Sequence, residues 1–437
     1  MTSPRILLAL LLCGSSAATS LAAELDSGAA WPKFQNGGQC VVPGTGLPKE
    51  WSAETNMAWK AEIEGYGQST PLVADGQVVV TSTAGPNKEA YFIASFDLES
   101  GKKLWQVELK NPSPIENNSY VSRAAPTGVV DQDGFIANFE GGIVAAVDKK
   151  GNLRWERNLV DDYGPITARH GLASSLEQDA AHVFVWVERS EEPYLAALSK
   201  QDGSTAWKVA GLGSTSWSSP RLIDVDGGQH LVCSASGKIA GFDPATGKRL
   251  WEFDQIANNS ACSPIPVAPG KFLIGASEGR GEAAATTEGS SNGVIEIAKQ
   301  EDGTYAADFA WQAKKAKSSF GSPIVVDGTA YFVNRGGVLF GIDVETGKQK
   351  STERLPTGGI WATPLSQGNL LYLFGQKGTT AVIDMTSGDQ VAENVLFEAT
   401  EPAEGERSQG GEVLYSAVAV SPYLLLRTGN TLYAVKQ

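Results

Sequence analysis

The sequence predicts an all-β fold, an eight-bladed β-propeller of four-stranded antiparallel blades, from three observations. A strand, an acidic glycine turn and a tryptophan recur about every fifty residues, as in FDLESGKKLW at 96–105 and FDPATGKRLW at 242–251. A small polar residue and a proline open an apolar strand well before each turn, as in STPLVADG and GSPIVVDG. The chain ends at LYAVKQ, before an eighth acidic turn. A repeat of this period indicates a ring or solenoid built from one small unit.

The acidic turns join the last two strands of each predicted blade. In chain order they begin at Asp97, Asp148, Ser199, Asp243, Lys299, Asp343 and Asp384. A glycine follows in every copy, at Gly101, Gly151, Gly203, Gly247, Gly303, Gly347 and Gly388. Glycine adopts positive φ without steric cost, so each turn is predicted to be a tight hairpin. We expect the aspartates to accept backbone hydrogen bonds inside their own turns, which is a structural role.

Tryptophans follow most of these turns and are predicted to dock one blade on the next. The predicted docking residues are Trp59, Trp105, Trp155, Trp207, Trp251 and Trp311. Each ring would lie flat between neighbouring blades and bury about 150–250 Å².

The two ends of the chain predict how the ring closes. The last repeat lacks an outer strand, whereas NMAWKAEI at 56–63 has no strand partner nearby in the sequence. Closure by strands from both termini removes exposed sheet edges. The segment 31–63 is therefore predicted to complete the last blade, and residues 24–437 to form one propeller domain.

Composition indicates an exported protein. Residues 1–23 carry one arginine, an apolar run at 6–12 and small residues before Glu24, a pattern typical of a secretory signal peptide. No other stretch approaches the ~20 apolar residues of a membrane helix. The net charge of −14 disfavours nucleic acid as a partner. Of the cysteines after residue 23, Cys40, Cys233 and Cys262, at least one must be unpaired. We expect a monomer in the periplasm or cell envelope.

The D-x-x-T-G-K-x-x-W turn with its preceding Ser-Pro strand resembles the PQQ-like (pyrroloquinoline-quinone) β-propeller repeat. This repeat is found in quinoprotein dehydrogenases and in BamB, the outer-membrane protein assembly factor. The opening WPKFQNGGQ and GLPKEW are similar to the N-terminus of secreted BamB-like proteins, although QNGGQ replaces their usual Arg-Gly-Pro. The resemblance covers residues 31–437 and implies the fold more strongly than an activity, because fold does not imply function.

For the function, we expect a non-catalytic binding or scaffold protein of the cell envelope that holds a protein partner or a small ligand. The alternative is a PQQ-dependent oxidoreductase or a carbohydrate-active protein at the channel mouth. The resemblance implies that an alcohol dehydrogenase of this type would carry adjacent cysteines beside the quinone and Glu, Asn and Asp around calcium. This chain has no adjacent cysteines, so we expect no cofactor or metal ion, with PQQ and calcium as the alternative, and no residue is predicted to be catalytic.

A binding site is predicted on the face that carries the loops leading into each inner strand. These loops hold aromatic, basic and amide residues that the repeat does not require: Tyr66, Tyr120, Arg123, Arg169, His170, Trp217, Asn258, Phe320, Trp361 and Tyr415. Aromatic and arginine side chains are the usual anchors of binding surfaces, and function concentrates on such loops. Alternatively, individual aromatic residues in this set cap the core.

Overall fold

The computed structural model describes residues 28–116, 121–168, 170–277, 291–313, 315–397 and 412–437. These residues form eight sheets, each built on four antiparallel strands and arranged around a central channel, which confirms the predicted eight-bladed β-propeller. Two strands precede the first blade: β1 (Val41–Val42) and β2 (Met57–Glu62). A 3-10 turn (Phe34–Gly38) and a short helix, α1 (Leu159–Tyr163), are the helical elements of the described residues.

Each blade is a meander whose first strand lies next to the channel. Blade 1 contains β3 (Leu72–Ala74), β4 (Gln77–Ala84), β5 (Ala90–Asp97) and β6 (Lys103–Lys110). Blade 2 contains β7 (Val129–Val130), β8 (Gly134–Asn138), β9 (Ile143–Asp148) and β10 (Leu153–Asn158). Blade 3 contains β11 (Glu177–Gln178), β12 (His182–Val187), β13 (Tyr194–Ser199) and β14 (Thr205–Ala210). Blade 4 contains β15 (Arg221–Val225), β16 (Gly228–Ala235), β17 (Lys238–Phe242) and β18 (Arg249–Phe253).

The second half of the ring repeats this order. Blade 5 contains β19 (Ile265–Ala268), β20 (Lys271–Ile274), β21 (Gly293–Lys299) and β22 (Tyr305–Gln312). Blade 6 contains β23 (Ile324–Val326), β24 (Thr329–Val333), β25 (Val338–Asp343) and β26 (Gln349–Arg354). Blade 7 contains β27 (Leu365–Gln367), β28 (Leu370–Phe374), β29 (Thr379–Asp384) and β30 (Gln390–Val395). Blade 8 contains β31 (Ser416–Val420), β32 (Tyr423–Arg427), β33 (Thr431–Val435) and β2.

Burial along the strands follows from this stacking. Middle strands such as β8 and β28 are buried at every position, because the neighbouring blades cover both of their faces. The outermost strand β22 alternates between half-buried and exposed positions, since one of its faces meets solvent. The core therefore lies between the blades.

The aspartate turns have the predicted geometry. In the first of them, the Asp97 carboxylate accepts hydrogen bonds from the Ser100 amide at 2.8 Å and the Ser100 hydroxyl at 2.5 Å. These bonds hold the pKa of Asp97 below its usual value. The carboxylate is thus used inside its own turn.

Five of the six predicted docking tryptophans pack on the turn glycine of the following blade. The pairs are Trp59 on Gly101, Trp105 on Gly151, Trp155 on Gly203, Trp207 on Gly247 and Trp311 on Gly347. A Cβ atom at Gly151, for example, would fall 2.8 Å from the Trp105 ring. The indole N–H of each ring donates to a backbone carbonyl of that same following blade, as from Trp311 to Val344 at 2.7 Å.

Trp251 is arranged differently. Its Nε1 donates to Nδ1 of His230 in its own blade at 3.0 Å, and its ring stacks on Phe272 of blade 5 at 6.4 Å. Nothing lies within 4 Å of a Cβ placed on Gly303, the corresponding turn glycine. Trp251 therefore still joins two blades, but through an aromatic pair.

The ring closes as predicted, because β2 pairs with β33 from Met57 to Glu62 and supplies the outermost strand of blade 8. Only this part of the segment 31–63 completes that blade. Residues 31–42 instead enter the channel, where β1 adds a parallel fifth strand to β27 of blade 7.

The channel segment, residues 31–42, bonds to the inner strands around the ring. Trp31 forms a bridge to Val73 of blade 1, and Lys33 forms one to Val129 of blade 2. Gln35 donates to Thr363 at 3.0 Å, just before blade 7. The chain's own N-terminal segment thus fills the channel centre.

Across the described ranges, no helix combines the length and hydropathy needed to cross a bilayer. The predicted signal peptide, residues 1–23, lies outside the described residues.

Candidate functional site

The predicted site residues lie on connectors, the segments that join the outermost strand of one blade to the innermost strand of the next. In an antiparallel meander all connectors emerge on one face, here called the connector face. Tyr120 and Arg169 fall outside the described residues. Each of the other eight predicted residues lies on a different connector, one before each of the eight blades.

Four of these residues form a continuous aromatic row across neighbouring connectors: Tyr66, Tyr415, Trp361 and Phe320. Successive ring centroids are separated by 6.1, 5.8 and 5.7 Å. The hydroxyl oxygens of Tyr66 and Tyr415 are 2.7 Å apart and share a hydrogen bond. Phe320 is 43% exposed, so that end of the row faces solvent.

Arginines stand at both ends of the aromatic row. The Arg123 guanidinium lies 3.5 Å from the centre of the Tyr66 ring, and the Arg335 guanidinium lies 5.0 Å from that of Phe320. At these distances each cation is attracted by the negative face of its ring. The site therefore has an aromatic centre and cationic ends.

A third arginine, Arg427, is fully buried beneath the Tyr66 end. It donates to the Ser69 carbonyl at 2.6 Å and to the Thr81 carbonyl at 2.5 Å, both neutral acceptors. Burial lowers the pKa of Arg427, and nearby Tyr66 opposes that shift. Burial and the neighbouring Tyr415 raise the pKa of Tyr66, so its hydroxyl stays protonated. Arg427 adds buried positive charge under the row.

A buried ion pair positions the connector that carries Arg123. Lys88 Nζ lies 3.2 Å from Glu140 Oε1 and donates to the Ser122 carbonyl at 2.8 Å. Glu140 Oε2 accepts from the Ala124 amide at 3.0 Å. Burial raises the pKa of Glu140, although Lys88 opposes the shift. The pair thus fixes the backbone on both sides of Arg123.

A cleft with a volume of about 50 Å³ opens beside the row. Its principal lining residues are Phe320, Trp361 and Tyr415 of the row, Trp31, Phe34 and Gln35 of the channel segment, and the hydroxyl residues Thr70, Ser322, Thr363 and Ser416. Among the described residues that line it, none is charged. Trp31 Nε1 and Ser416 Oγ are buried and have no hydrogen-bond partner in the described structure. The cleft has room for a few water molecules or part of one side chain.

The remaining predicted residues lie apart from the row. The His170 and Trp217 rings form a separate pair 5.9 Å apart. Asn258 is half-buried with φ +60°, and its carbonyl accepts from the Ser277 amide at 3.0 Å. The structure therefore brings together Tyr66, Arg123, Phe320, Trp361 and Tyr415, and places His170 with Trp217.

Sequence reasoning missed Arg335, Arg427 and the channel segment as parts of this site. Arg427 ends the apolar run YLLLR, and a charged residue in a buried strand is a usable signal. Arg335 lies in the loop between β24 and β25, which the connector pattern does not cover. The contacts of residues 31–42 are too distant in sequence for any local pattern to reveal.

The cleft residues do not fit calcium-bound PQQ. Calcium takes six to eight oxygen ligands that include carboxylates, whereas the cleft lining described above is uncharged. In the described ranges, no three His, Cys, Asp or Glu side chains are grouped closely enough to hold a metal ion. Cys40, Cys233 and Cys262 are free and buried, and none is adjacent to another in sequence.

The chain is similar both to outer membrane protein assembly factors and to alcohol dehydrogenases. The chain is 24% identical over 300 residues to the outer membrane protein assembly factor BamB of Shewanella oneidensis, covering 68% of this chain and 66% of that protein. It is 28% identical over 139 residues to a 1-butanol dehydrogenase (cytochrome c) of Thauera butanivorans, covering 31% of this chain and 19% of that enzyme. The chain thus spans less than two thirds of either relative.

Among solved structures, a europium-containing methanol dehydrogenase aligns with a TM-score of 0.64 at 10% identity, covering 96% of this chain and 100% of that one. At this identity the likeness shows the fold alone. The family model described as outer membrane protein assembly factor BamB matches residues 15–165, 165–265 and 276–436, most of the chain. The chain therefore belongs to the BamB family of PQQ-like β-propeller repeat proteins.

Proposed function

We propose that this chain is a non-catalytic, exported scaffold protein of the periplasm or cell envelope whose connector face holds a protein partner. The observation that carries the proposal is the aromatic row with an arginine at each end, presented on one face of a closed ring. Tyrosine, tryptophan and arginine dominate the anchors of protein interfaces. Because β2 covers the edge strand where the ring closes, the propeller is a closed and rigid support for such a surface.

Two further observations support a binding role. The channel segment occupies the centre of the ring, and the described residues that line the cleft beside the row are all uncharged. The similar protein of Shewanella oneidensis is named for outer membrane protein assembly. By analogy we propose a protein of the cell envelope as the partner, and export through the N-terminal 23 residues.

The test compares partner capture by a row variant and a control variant. Phe320→Ala with Trp361→Ala removes the exposed end of the row, whereas Leu104→Ala with Leu153→Ala removes exposed apolar groups from outermost strands of blades 1 and 2. In-cell crosslinking followed by pull-down should lose the partner with the row variant and keep it with the control. Retained capture by a row variant that melts like the wild type would refute the proposed surface.

A second candidate function is a PQQ-dependent oxidoreductase or a carbohydrate-active protein. The aromatic row favours this function because aromatic rings stack on quinones and sugars. The similarity to a 1-butanol dehydrogenase also supports it. Thermal unfolding with PQQ and calcium, together with dye-linked oxidation of alcohols and sugars, tests it. A ligand at a hundred times its Kd should stabilise the fold by about 2.7 kcal/mol. Stabilisation with turnover would replace the scaffold proposal.

A further inference from the structure

Three arginines around the aromatic row share a feature that no other described arginine has. The Nε atoms of Arg123, Arg335 and Arg427 are buried and have no hydrogen-bond partner in the described residues. No carboxylate of the described chain lies within ion-pair distance of any of the three. Of the other described arginines, Arg154, Arg157, Arg221 and Arg249 pair with aspartate or glutamate, whereas Arg189 and Arg354 donate to backbone carbonyls. Three arginines without a carboxylate partner in the described residues therefore lie at the aromatic row.

This concentration runs against the overall charge of the protein. The chain carries a formal net charge of −14, yet the row has cationic groups at both ends and beneath one of them. A guanidinium offers several N–H donors in a fork that matches a carboxylate, and such pairs are among the strongest hydrogen bonds in proteins. The complementary ligand therefore brings carboxylates to the ends of the row and apolar groups to its centre.

We propose that the row binds an extended, acidic peptide segment of the partner protein, with carboxylates at Arg123 and Arg335 and apolar side chains over the rings between them. This inference rests on the proposed scaffold function and names the chemistry of the partner. An extended peptide advances about 3.3 Å per residue, so the row matches about five or six residues. The cleft beside Trp361 and Tyr415 accepts part of one apolar side chain from this segment.

Shape and charge favour a peptide over a nucleic acid. A long polyphosphate chain would extend beyond the row and meet the repulsion of the protein's negative charge along its length, whereas a short acidic segment lies within the local positive field of the row. The buried Arg427 raises that local field without touching the ligand, because its guanidinium is covered by Ser69 and Thr81.

The experiment measures binding of a fluorescein-labelled peptide that has two acidic residues at each end and Leu and Phe between them. A second peptide carries lysine in place of each acidic residue. Fluorescence anisotropy is followed with the wild type, with Arg123→Gln plus Arg335→Gln, and with Arg249→Gln as the matched control. Arg249 is exposed and already pairs with Glu252 at 2.5 Å. Thermal unfolding establishes that each variant is folded.

We expect the acidic peptide to bind the wild type and the Arg249→Gln control equally, and the double variant at least about tenfold more weakly, a loss equivalent to about 1.4 kcal/mol. Affinity should fall with rising salt, because the contacts are between charges near the surface. Equal binding of the acidic and the lysine peptide, or unchanged affinity in the folded double variant, would overturn the proposal.

Partner capture in cells distinguishes the failure of acidic-peptide recognition from the failure of the proposed scaffold function. If Phe320→Ala with Trp361→Ala abolishes crosslinking while Arg123→Gln with Arg335→Gln leaves it unchanged, the scaffold function stands and acidic recognition fails. If the acidic peptide binds as expected but neither pair of substitutions changes capture in cells, the peptide site stands and the scaffold function fails.

Discussion

At the residue scale, the most consequential contacts lie inside the channel. Glu177 on β11 is fully buried between Lys33 Nζ at 2.5 Å and Arg221 Nη1 at 3.4 Å. Arg221 also donates to the Phe34 carbonyl at 3.2 Å and to Gln35 Oε1 at 3.0 Å. One carboxylate therefore ties the channel segment to blades 3 and 4.

Glu177→Gln should destabilise the protein by about 3 kcal/mol, because breaking a buried ion pair leaves uncompensated charge. Burial alone would raise the pKa of Glu177, but Lys33 and Arg221 outweigh it and hold the pKa below its usual value. A depressed carboxyl pKa contributes stability above the unfolded value of about 4.3, and that contribution is lost as pH falls through the folded pKa. The difference between wild type and variant should therefore narrow below about pH 4.

Denaturant unfolding across this pH range measures both effects. Glu296→Gln is the control, since Glu296 forms an exposed pair with Lys271 at 3.3 Å and such pairs contribute little. A Glu177→Gln variant as stable as that control at neutral pH would contradict the role of the channel triad.

Residue-scale features were the least predictable from sequence. Connector aromatic residues such as Tyr66 and Trp361 could be singled out because the repeat does not need them. Arg335 could not be singled out because it lies in a loop inside blade 6, and Glu177 could not because it acquires its surroundings from segments far away in the chain. Glu177, for instance, meets Lys33 across 144 positions.

At the element scale, the blades resemble one another because each repeat places the same residue types at the same turn and strand positions. Turn glycine, turn aspartate and docking tryptophan are all visible in sequence, and their geometry recurs in the described blades. Trp251 differs from the other docking tryptophans because His230 accepts its indole N–H and its ring packs on Phe272 instead of on a turn glycine. That exchange depends on side chains of two blades, so the repeat pattern alone did not reveal it.

This departure allows a matched test of blade docking. Gly151 and Gly303 occupy equivalent turns with φ of +84° and +83°, but only Gly151 has a tryptophan ring against it. Gly303→Ala should cost about 1–2 kcal/mol from the left-handed backbone alone. Gly151→Ala should cost about 1–3 kcal/mol more, because its Cβ must displace Trp105.

Thermal and denaturant unfolding of the two variants gives the comparison, with near-ultraviolet circular dichroism reporting the tryptophan environment. Equal destabilisation by both substitutions would mean that the Trp105 contact adds nothing to the stability of the blade interface.

At the scale of the whole molecule, the N-terminal region has two separate tasks. β2 closes the ring by pairing with β33, whereas residues 31–42 fill the channel. Closure by β2 could be predicted from the sequence because the last repeat lacks a strand. The channel segment could not be predicted, since residues 34–38 form an irregular turn with positive φ at Gln35, Asn36 and Gly37, and the partners of this segment are spread around the ring.

Two truncations should separate these tasks. A chain that begins at Pro43 keeps β2 and should remain monomeric but melt at a lower temperature, because Glu177 and Arg221 lose their channel partners. A chain that begins at Glu64 also loses β2 and exposes the edge of β33, whose five residues are all buried in the intact protein. An exposed apolar edge strand is a template for pairing with other chains, so this second truncation should self-associate.

Size-exclusion chromatography with light scattering measures the association, and hydrogen exchange across 423–435 measures protection of blade 8. A synthetic peptide of residues 56–63 added to the shorter chain should restore both monomeric behaviour and protection, because it supplies the missing strand. If the two truncated chains are equally monomeric and equally stable, ring closure by β2 contributes nothing measurable and stability comes from the stacked blades alone. If the chain that begins at Pro43 melts like the intact protein, the channel segment fills space without stabilising the ring.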